Sequence, residues 1–284
     1  MQSSLRRAAR GVRVAVLVLG LAYAAIASGA PRPQRIVSLN ACADQYLIAL
    51  ADKSQVAALT QFSRDPGLSF YADKARAYPI SQGQAEAVLA MKPDLVITNP
   101  YRRANDLALL QGRVKLLDLK PATSFDDVVK QTRRVASAIG QSARGEALIH
   151  DMQARVAAAG RRPAGGVAAQ YQRGGYLTGP GALMDDLMTR AGLTNLARRG
   201  HGGAISRMSL EQMVYDHPDY LIVTGAEGGQ DEGGLMLEHP ALARAVPSSR
   251  RLRLPAALAV CGGPSYPAAL EQLQAEVDRA RAAP

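Results

Sequence analysis

The sequence predicts two similar α/β lobes joined by a long helix, with a ligand-holding gap between the lobes. Three observations point there: one phrase occurs twice, apolar runs alternate with helical periods, and the middle of the chain carries no strand signal. The phrase is Glu86-Ala-Val-Leu-Ala-Met-Lys-Pro93-Asp94-Leu-Val-Ile-Thr, matched by Glu211-Gln-Met-Val-Tyr-Asp-His-Pro218-Asp219-Tyr-Leu-Ile-Val-Thr. Each copy reads as a short helix that stops before its proline, followed by a buried strand. The ring fixes φ, removes a donor and drives the preceding residue from the α region. A short apolar run after such a breaker suits a strand covered on both faces. Two copies imply two equivalent lobes, and bilobed α/β chains hold ligands between their halves.

Arg35 to Leu39 reads as the first strand, Ala43 to Ala51 as a helix behind it, and Val56 to Thr60 as the second strand. A helix around Asp106 to Leu110 and a strand over Val114 to Leu119 continue the alternation, which argues for parallel α/β units. From Ser124 to Gly160 the period becomes helical. Phe125, Val128, Val129, Val135 and Ile139 form one stripe ended by Gly140, and Leu148, Met152, Val156 and Ala159 form another. Ser142 is placed to cap the second helix and Gly160 to close it. That helix would be about 27 Å long, a stiff strut between halves. Strands are expected again at Gly166 to Gln170, Leu221 to Thr224 and Ala257 to Val260, with helices at Leu210 to Tyr215 and Pro267 to Arg281. The expected division is a leader over 1–30, a first lobe over 31–141, an interlobe helix over 142–160 and a second lobe over 161–284.

The chain has 284 residues, of which 20% are charged and 48% hydrophobic, an ordinary globular balance. Arg6, Arg7, Arg10 and Arg13 precede an uncharged run from Val14 to Ala27 that ends in Ser28-Gly29-Ala30. A basic start, an apolar middle and a small-residue exit describe a secretory signal peptide, cleaved near Ala30 or at Ala27. At about fourteen residues the run is short for a retained membrane anchor. Loss of its four arginines takes the formal net charge from +10 to +6. The remaining positives are scattered, apart from pairs such as Arg250-Arg251, and read as solvated surface. With 3 Phe, no Trp and no basic-aromatic stripe, nucleic acid is not an expected partner. Cys42 and Cys261 are the only cysteines. In an exported protein they form either a disulfide across the mouth of the gap or two separate buried thiols.

Taken in order, Arg35-Ile-Val-Ser-Leu-Asn40, Gly83-Gln-Ala-Glu86 running into Lys92-Pro-Asp-Leu-Val-Ile97, Leu177-Thr-Gly-Pro-Gly181, and Ser209-Leu-Glu211 running into Pro218-Asp219 carry a resemblance. The chain resembles the helical-backbone class of periplasmic solute-binding proteins, particularly those that deliver vitamin B12 and ferric siderophores to ABC importers. The likeness runs over roughly residues 34 to 282. It implies two Rossmann-like lobes, a shallow cleft, no catalysis and no resident cofactor. The implied cargo is a ferric siderophore or cobalamin, and the implied partner of this periplasmic monomer is an ABC permease dimer. In that family each lobe carries a surface glutamate that pairs with permease arginines, and Glu86 and Glu211 match those positions. Two equivalent anions on two equivalent lobes suit a two-fold partner, although a first-turn Glu also simply complements a helix dipole.

The pocket is expected on loops at the carboxyl ends of strands. The candidate ligand-binding residues are Asn40, Phe62, Arg64, Ser81, Gln82, Gly83, Tyr101, Arg102, Tyr171, Tyr176 and Tyr266. Aromatic rings stack on flat ligands, and arginines meet carboxylate, phosphate or catecholate groups. The tryptophans that the family places around a corrin are missing, and Ser81 and Ile205 stand at two matching positions. A haem-like chelate is therefore kept beside siderophore and cobalamin. Relatives of this class that carry bare zinc or manganese use several histidines. Here His150, His201, His217 and His239 are the whole supply, with His150 on the strut and His217 beside a repeat proline. No metal site is expected from them. Gly-x-Ser-x-Gly is absent, and Gly179-Pro-Gly181 lacks the third glycine of a dinucleotide turn. A periplasmic sensor of the same cargo remains the alternative to transport.

Overall fold

A computed structural model describes residues 32–100, 108–200, 202–225 and 235–283. The leader and the candidates Tyr101, Arg102 and His201 lie outside those residues. In the first half, β1 (Ile36–Ser38), α1 (Ala41–Leu50), β2 (Val56–Thr60), β3 (Ile80–Ser81), α2 (Ala85–Ala90), β4 (Leu95–Thr98) and β5 (Lys115–Asp118) follow in order. Their sheet runs β3-β2-β1-β4-β5 and is parallel throughout. All four residues of β4 are buried, as an apolar run covered on both faces requires.

Two helices follow, α3 (Phe125–Ala138) and α4 (Ser142–Ala159). The second half contains β6 (Val167–Ala169), β7 (Tyr171–Gln172), β8 (Tyr176–Thr178), α5 (Leu183–Arg190), β9 (Thr194–Asn195), β10 (Ile205–Arg207), α6 (Leu210–Asp216) and β11 (Tyr220–Val223). It closes with α7 (Pro240–Ala245), β12 (Arg251–Arg253), α8 (Ala256–Ala259) and α9 (Tyr266–Ala282). Its parallel sheet runs β12-β11-β6-β9, and a separate antiparallel sheet runs β10-β8-β7.

The repeat extends to the backbone and to its hydrogen bonds. Lys92 and His217 are the non-glycine residues with positive φ among those described, at 49° and 45°, and each precedes the proline of its copy. Proline disfavours the right-handed α region at that position, so both helices stop there. The next residue is then used in the same way twice. Asp94 accepts from the amides of Gln34 and Arg35 at 2.6 and 3.0 Å, tying β4 to the entry of β1. Asp219 accepts from the amide of Val167 at 2.7 Å, tying β11 to β6. The central neighbours β1-β4-β5 of one sheet thus correspond to β6-β11-β12 of the other.

Two expectations need correction. The two helices expected between Ser124 and Gly160 are α3 and α4. Phe125 and Val128 at the start of α3 pack into the second-half core, whereas Val135 and Ala136 near its end pack into the first-half core. The chain then returns along α4, whose Ile149, Met152 and Val156 rejoin the second core. The apolar stripes of both helices are therefore shared between lobes, which one-dimensional periodicity does not show. At Gly145 a Cβ would lie 2.4 Å from the Cβ of Ala136, so the missing side chain sets how closely the pair crosses. Ser142 lies inside α4, and Gln141 occupies the N-cap without a side-chain bond, while Gly160 does close the helix at φ 65°. Ala257 to Val260, expected as a strand, falls on α8 and its cap. The sheet edge is taken instead by Arg251-Leu-Arg253, which pairs with Leu221 to Val223 and carries no apolar run to announce it.

Where the lobes meet, Cys42 and Cys261 are disulfide-bonded with Cα atoms 5.2 Å apart. The Tyr46 hydroxyl donates to the carbonyl of Gly262 at 2.9 Å, and a Cβ on Gly262 would meet that of Ala122 at 2.6 Å. The first helix of one lobe, the segment entering α3 and the turn before α9 thus converge on one junction.

Candidate functional site

Recesses open at the carboxyl ends of the strands in both lobes, as expected for open α/β sheets. In the first lobe a recess of about 340 Å³ is lined by Asn40 after β1, Thr60 to Phe62 after β2, Ser81 to Gly83 after β3, and Asn99 after β4. Its wall is uncharged and mixes amides and hydroxyls with Leu39, Ala41 and one exposed ring, Phe62. Asn40 caps α1, its Oδ1 accepting from the amides of Cys42 and Ala43 at 2.7 and 3.3 Å, which fixes the side chain beside the recess. Ser81 accepts from the amide of Gly83 at 3.0 Å, leaving its own O–H to donate. Gly83 has φ 83°, a conformation that a side chain would strain.

The second lobe holds a cavity of about 450 Å³ between the antiparallel sheet and the end of β11. Tyr176 is paired with Gln172 on one side and Arg207 on the other, and Ile205 stands two residues from Arg207. Alternation along a strand puts these four on one face. Tyr171 and Leu177 face the opposite way, into the core. On the cavity face Tyr176 is 44% and Ile205 66% exposed, and the Arg207 guanidinium lies 4.9 Å from the Tyr176 ring centre. A third recess of about 450 Å³ bridges the lobes, with Pro66 and Gly67 on one side and Val223 to Gly225 and Arg253 to Ala257 on the other. Val223, Thr224 and Gly225 line both spaces, so the two share a wall.

The structure brings together Asn40, Phe62, Ser81, Gln82 and Gly83 in one recess and places Tyr176 on the facing lobe. Tyr171 lines the second-lobe cavity only from beneath. It is 4% exposed, its hydroxyl donates to the Met208 carbonyl at 3.0 Å, and burial with nearby Glu211 pushes its pKa up to about 12. Arg64 donates to the Tyr78 carbonyl at 2.7 Å, away from these recesses. Tyr266 is a core residue. Its ring packs 4.9 Å from that of Phe125, and its hydroxyl donates to Asp186, which also accepts from the Phe125 amide at 3.0 Å. The tyrosine opens α9, and Pro267 behind it fixes a first helical turn that points inward. Arg251, read as surface, is buried in the cavity wall, where its Nη2 donates to the Leu237 carbonyl at 3.2 Å. No periodicity signals it, because a two-arginine step on a three-residue strand looks solvated.

Glu86 and Glu211 occupy the same position in their helices, one residue inside α2 and α6, and both are exposed. Ser209 caps α6 by accepting from the Gln212 amide at 3.2 Å. The Glu211 carboxyl is held below its usual range first by its own backbone amide, then by Ser209 and by the neighbouring His239.

A family profile described as "Periplasmic binding protein" matches residues 36–257. A cobalamin-binding protein of Halobacterium salinarum is 29% identical over 76% of this chain. The chain spans 59% of that relative's length. The periplasmic heme-binding protein RhuT from Roseiflexus sp. RS-1, in apo form, superposes with TM-score 0.70 at 26% identity, covering 87% of this chain and 99% of that one. A periplasmic heme-binding protein from Pseudomonas aeruginosa gives 0.68 at 26%, covering 86% and 92%.

Proposed function

The chain belongs to the periplasmic binding protein family, and on that premise we propose that it captures a metal chelate outside the inner membrane and presents it to an ABC permease. The fold and family are those of binding proteins. The carrying observation is the pair of recesses at matching strand ends of two repeated sheets, joined by a third that both lobes line. The proposed cargo is a ferric siderophore, a cobalamin or a haem. Haem is favoured by the two solved neighbours at 26% identity and cobalamin by the curated relative. Phe62 and Tyr176 supply aromatic faces from opposite walls, suited to a broad, flat ligand. Cargo touching both lobes favours a closed arrangement in proportion to its higher affinity for that arrangement.

The loaded protein then offers Glu86 and Glu211 to the permease. Their equivalence in the repeat supports a two-fold partner, since each lobe can make the same contact. A Glu86→Ala, Glu211→Ala double variant tests this in cells carrying the permease and ATPase. Cargo affinity stays at the wild-type value and uptake is abolished; wild-type uptake by the double variant would refute docking through these residues. A sensor of the same cargo would keep binding yet show no permease-dependent uptake in the wild type.

A further inference from the structure

We infer that the Cys42–Cys261 disulfide positions the cargo site: it holds the wall of the first-lobe recess and the wall of the interlobe recess at the spacing that binding needs. This role presupposes that the recesses are the cargo site, and it is distinct from holding the fold together. Each cysteine is tied directly to a recess. On the first lobe Asn40 and Ala41 line the recess, and the Asn40 Oδ1 accepts from the Cys42 amide at 2.7 Å. On the second lobe Pro255, Ala256 and Ala257 line the interlobe recess, and the helix they open, α8, runs through its cap Val260 straight into Cys261. The Val260 amide donates to the Ala256 carbonyl at 2.8 Å, and the Ser265 hydroxyl donates to the Leu258 carbonyl at 2.9 Å, so the turn that carries Cys261 is fixed to the helix that forms the wall. From Asn40 to Ala256 the connection passes through a hydrogen bond, the covalent bond and a single helical turn.

The turn after Cys261 packs bare backbone against the first lobe. A Cβ on Gly262 would lie 2.6 Å from that of Ala122, and one on Gly263 would lie 3.6 Å from the Tyr46 ring. Contacts of this kind resist approach steeply but separation only weakly. The disulfide supplies the other restraint. Its Cα atoms are 5.2 Å apart, and a disulfide spans no more than about 7 Å between Cα atoms, so the two walls can part there by only about 2 Å. Without the bond, cargo that touches both lobes finds its walls in register for only part of the time. Apparent affinity then falls in proportion to that fraction.

Cys42→Ser combined with Cys261→Ser tests it by equilibrium titration. The probe is whichever of ferric protoporphyrin IX, cyanocobalamin and a ferric tris-catecholate the wild type binds tightest. At a temperature where its circular dichroism matches that of the wild type, the double variant binds about tenfold more weakly. Gly262→Ala gives a second reading with the disulfide kept. The added methyl meets Ala122 and shifts the turn that carries Cys261, so affinity falls at least about threefold, and adding Ala122→Gly restores it. Wild-type affinity in the folded double cysteine variant overturns the positioning role and leaves the capture function standing. Where that variant does not fold, Gly262→Ala decides. Wild-type affinity, or a loss that Ala122→Gly does not rescue, overturns the role; a rescued loss bears it out. Failure of every probe to bind the wild type overturns the capture reading itself.

Discussion

In the first turn of α1, Asp44 is buried where β1 and β2 diverge, beneath the first-lobe recess. It accepts from the Thr60 hydroxyl at 2.5 Å and from the Thr60 amide at 3.2 Å. Burial outweighs these bonds and raises its pKa from 3.8 to about 6. The folded state therefore holds a proton over a range where the unfolded chain has released it. The stability this group contributes is complete below pH 3.8 and is lost as pH rises through about 6. Relative to Asp44→Asn, which is neutral throughout, the wild type should lose about 2 kcal/mol between pH 4 and 7 in urea unfolding. A constant difference between the two proteins would show that Asp44 titrates normally. The corrected place of Tyr266 gives a second outcome. Tyr266→Phe leaves cargo affinity unchanged and costs about 1–2 kcal/mol of stability, because Asp186 loses a buried donor. A large loss of affinity at unchanged stability would return Tyr266 to the site.

Among the elements, legibility followed length and burial pattern. Val56–Thr60 was readable because an apolar-rich run stands between Gln55 and Gln61, and α3 and α4 because they run long enough to show a period. The antiparallel sheet was not, since alternation over two or three residues has no period to detect. Without that sheet, the face shared by Tyr176, Ile205 and Arg207 could not be assembled, although Tyr176 itself was a candidate. The first-lobe recess was legible for a different reason: its residues follow directly on strands whose ends the sequence marks. Aromatic residues near strand ends were less informative, since a tyrosine packs in a core as readily as in a pocket. Two predictions belong to this scale. Gly145→Ala gains up to about 1 kcal/mol of helix propensity. It also forces a Cβ to 2.4 Å from that of Ala136, and such overpacking costs about 1–3 kcal/mol, so the variant should melt lower. Replacing Cys42 and Cys261 together by Ser opens a loop of sequence separation 219 and should cost roughly 3–5 kcal/mol in chemical unfolding. A midpoint unchanged by the double substitution would mean that the junction is held by Tyr46 and the α3–α4 pair alone.

For the molecule as a whole, the repeat organises everything above it. Asp94 and Asp219 tie equivalent strands, Lys92 and His217 end equivalent helices, and Glu86 and Glu211 stand at equivalent exposed positions. The two lobes are similar in backbone but differ in the recesses at their strand ends, in volume and in lining. The measurement that bears most directly on this account is cargo affinity after truncating one ring on each wall. With whichever of haem, cobalamin or ferric siderophore the wild type binds tightest, Phe62→Ala and Tyr176→Ala should each weaken binding by about 1–3 kcal/mol. Loss of affinity from only one of them, or from neither, would mean that the cargo is not held between the lobes.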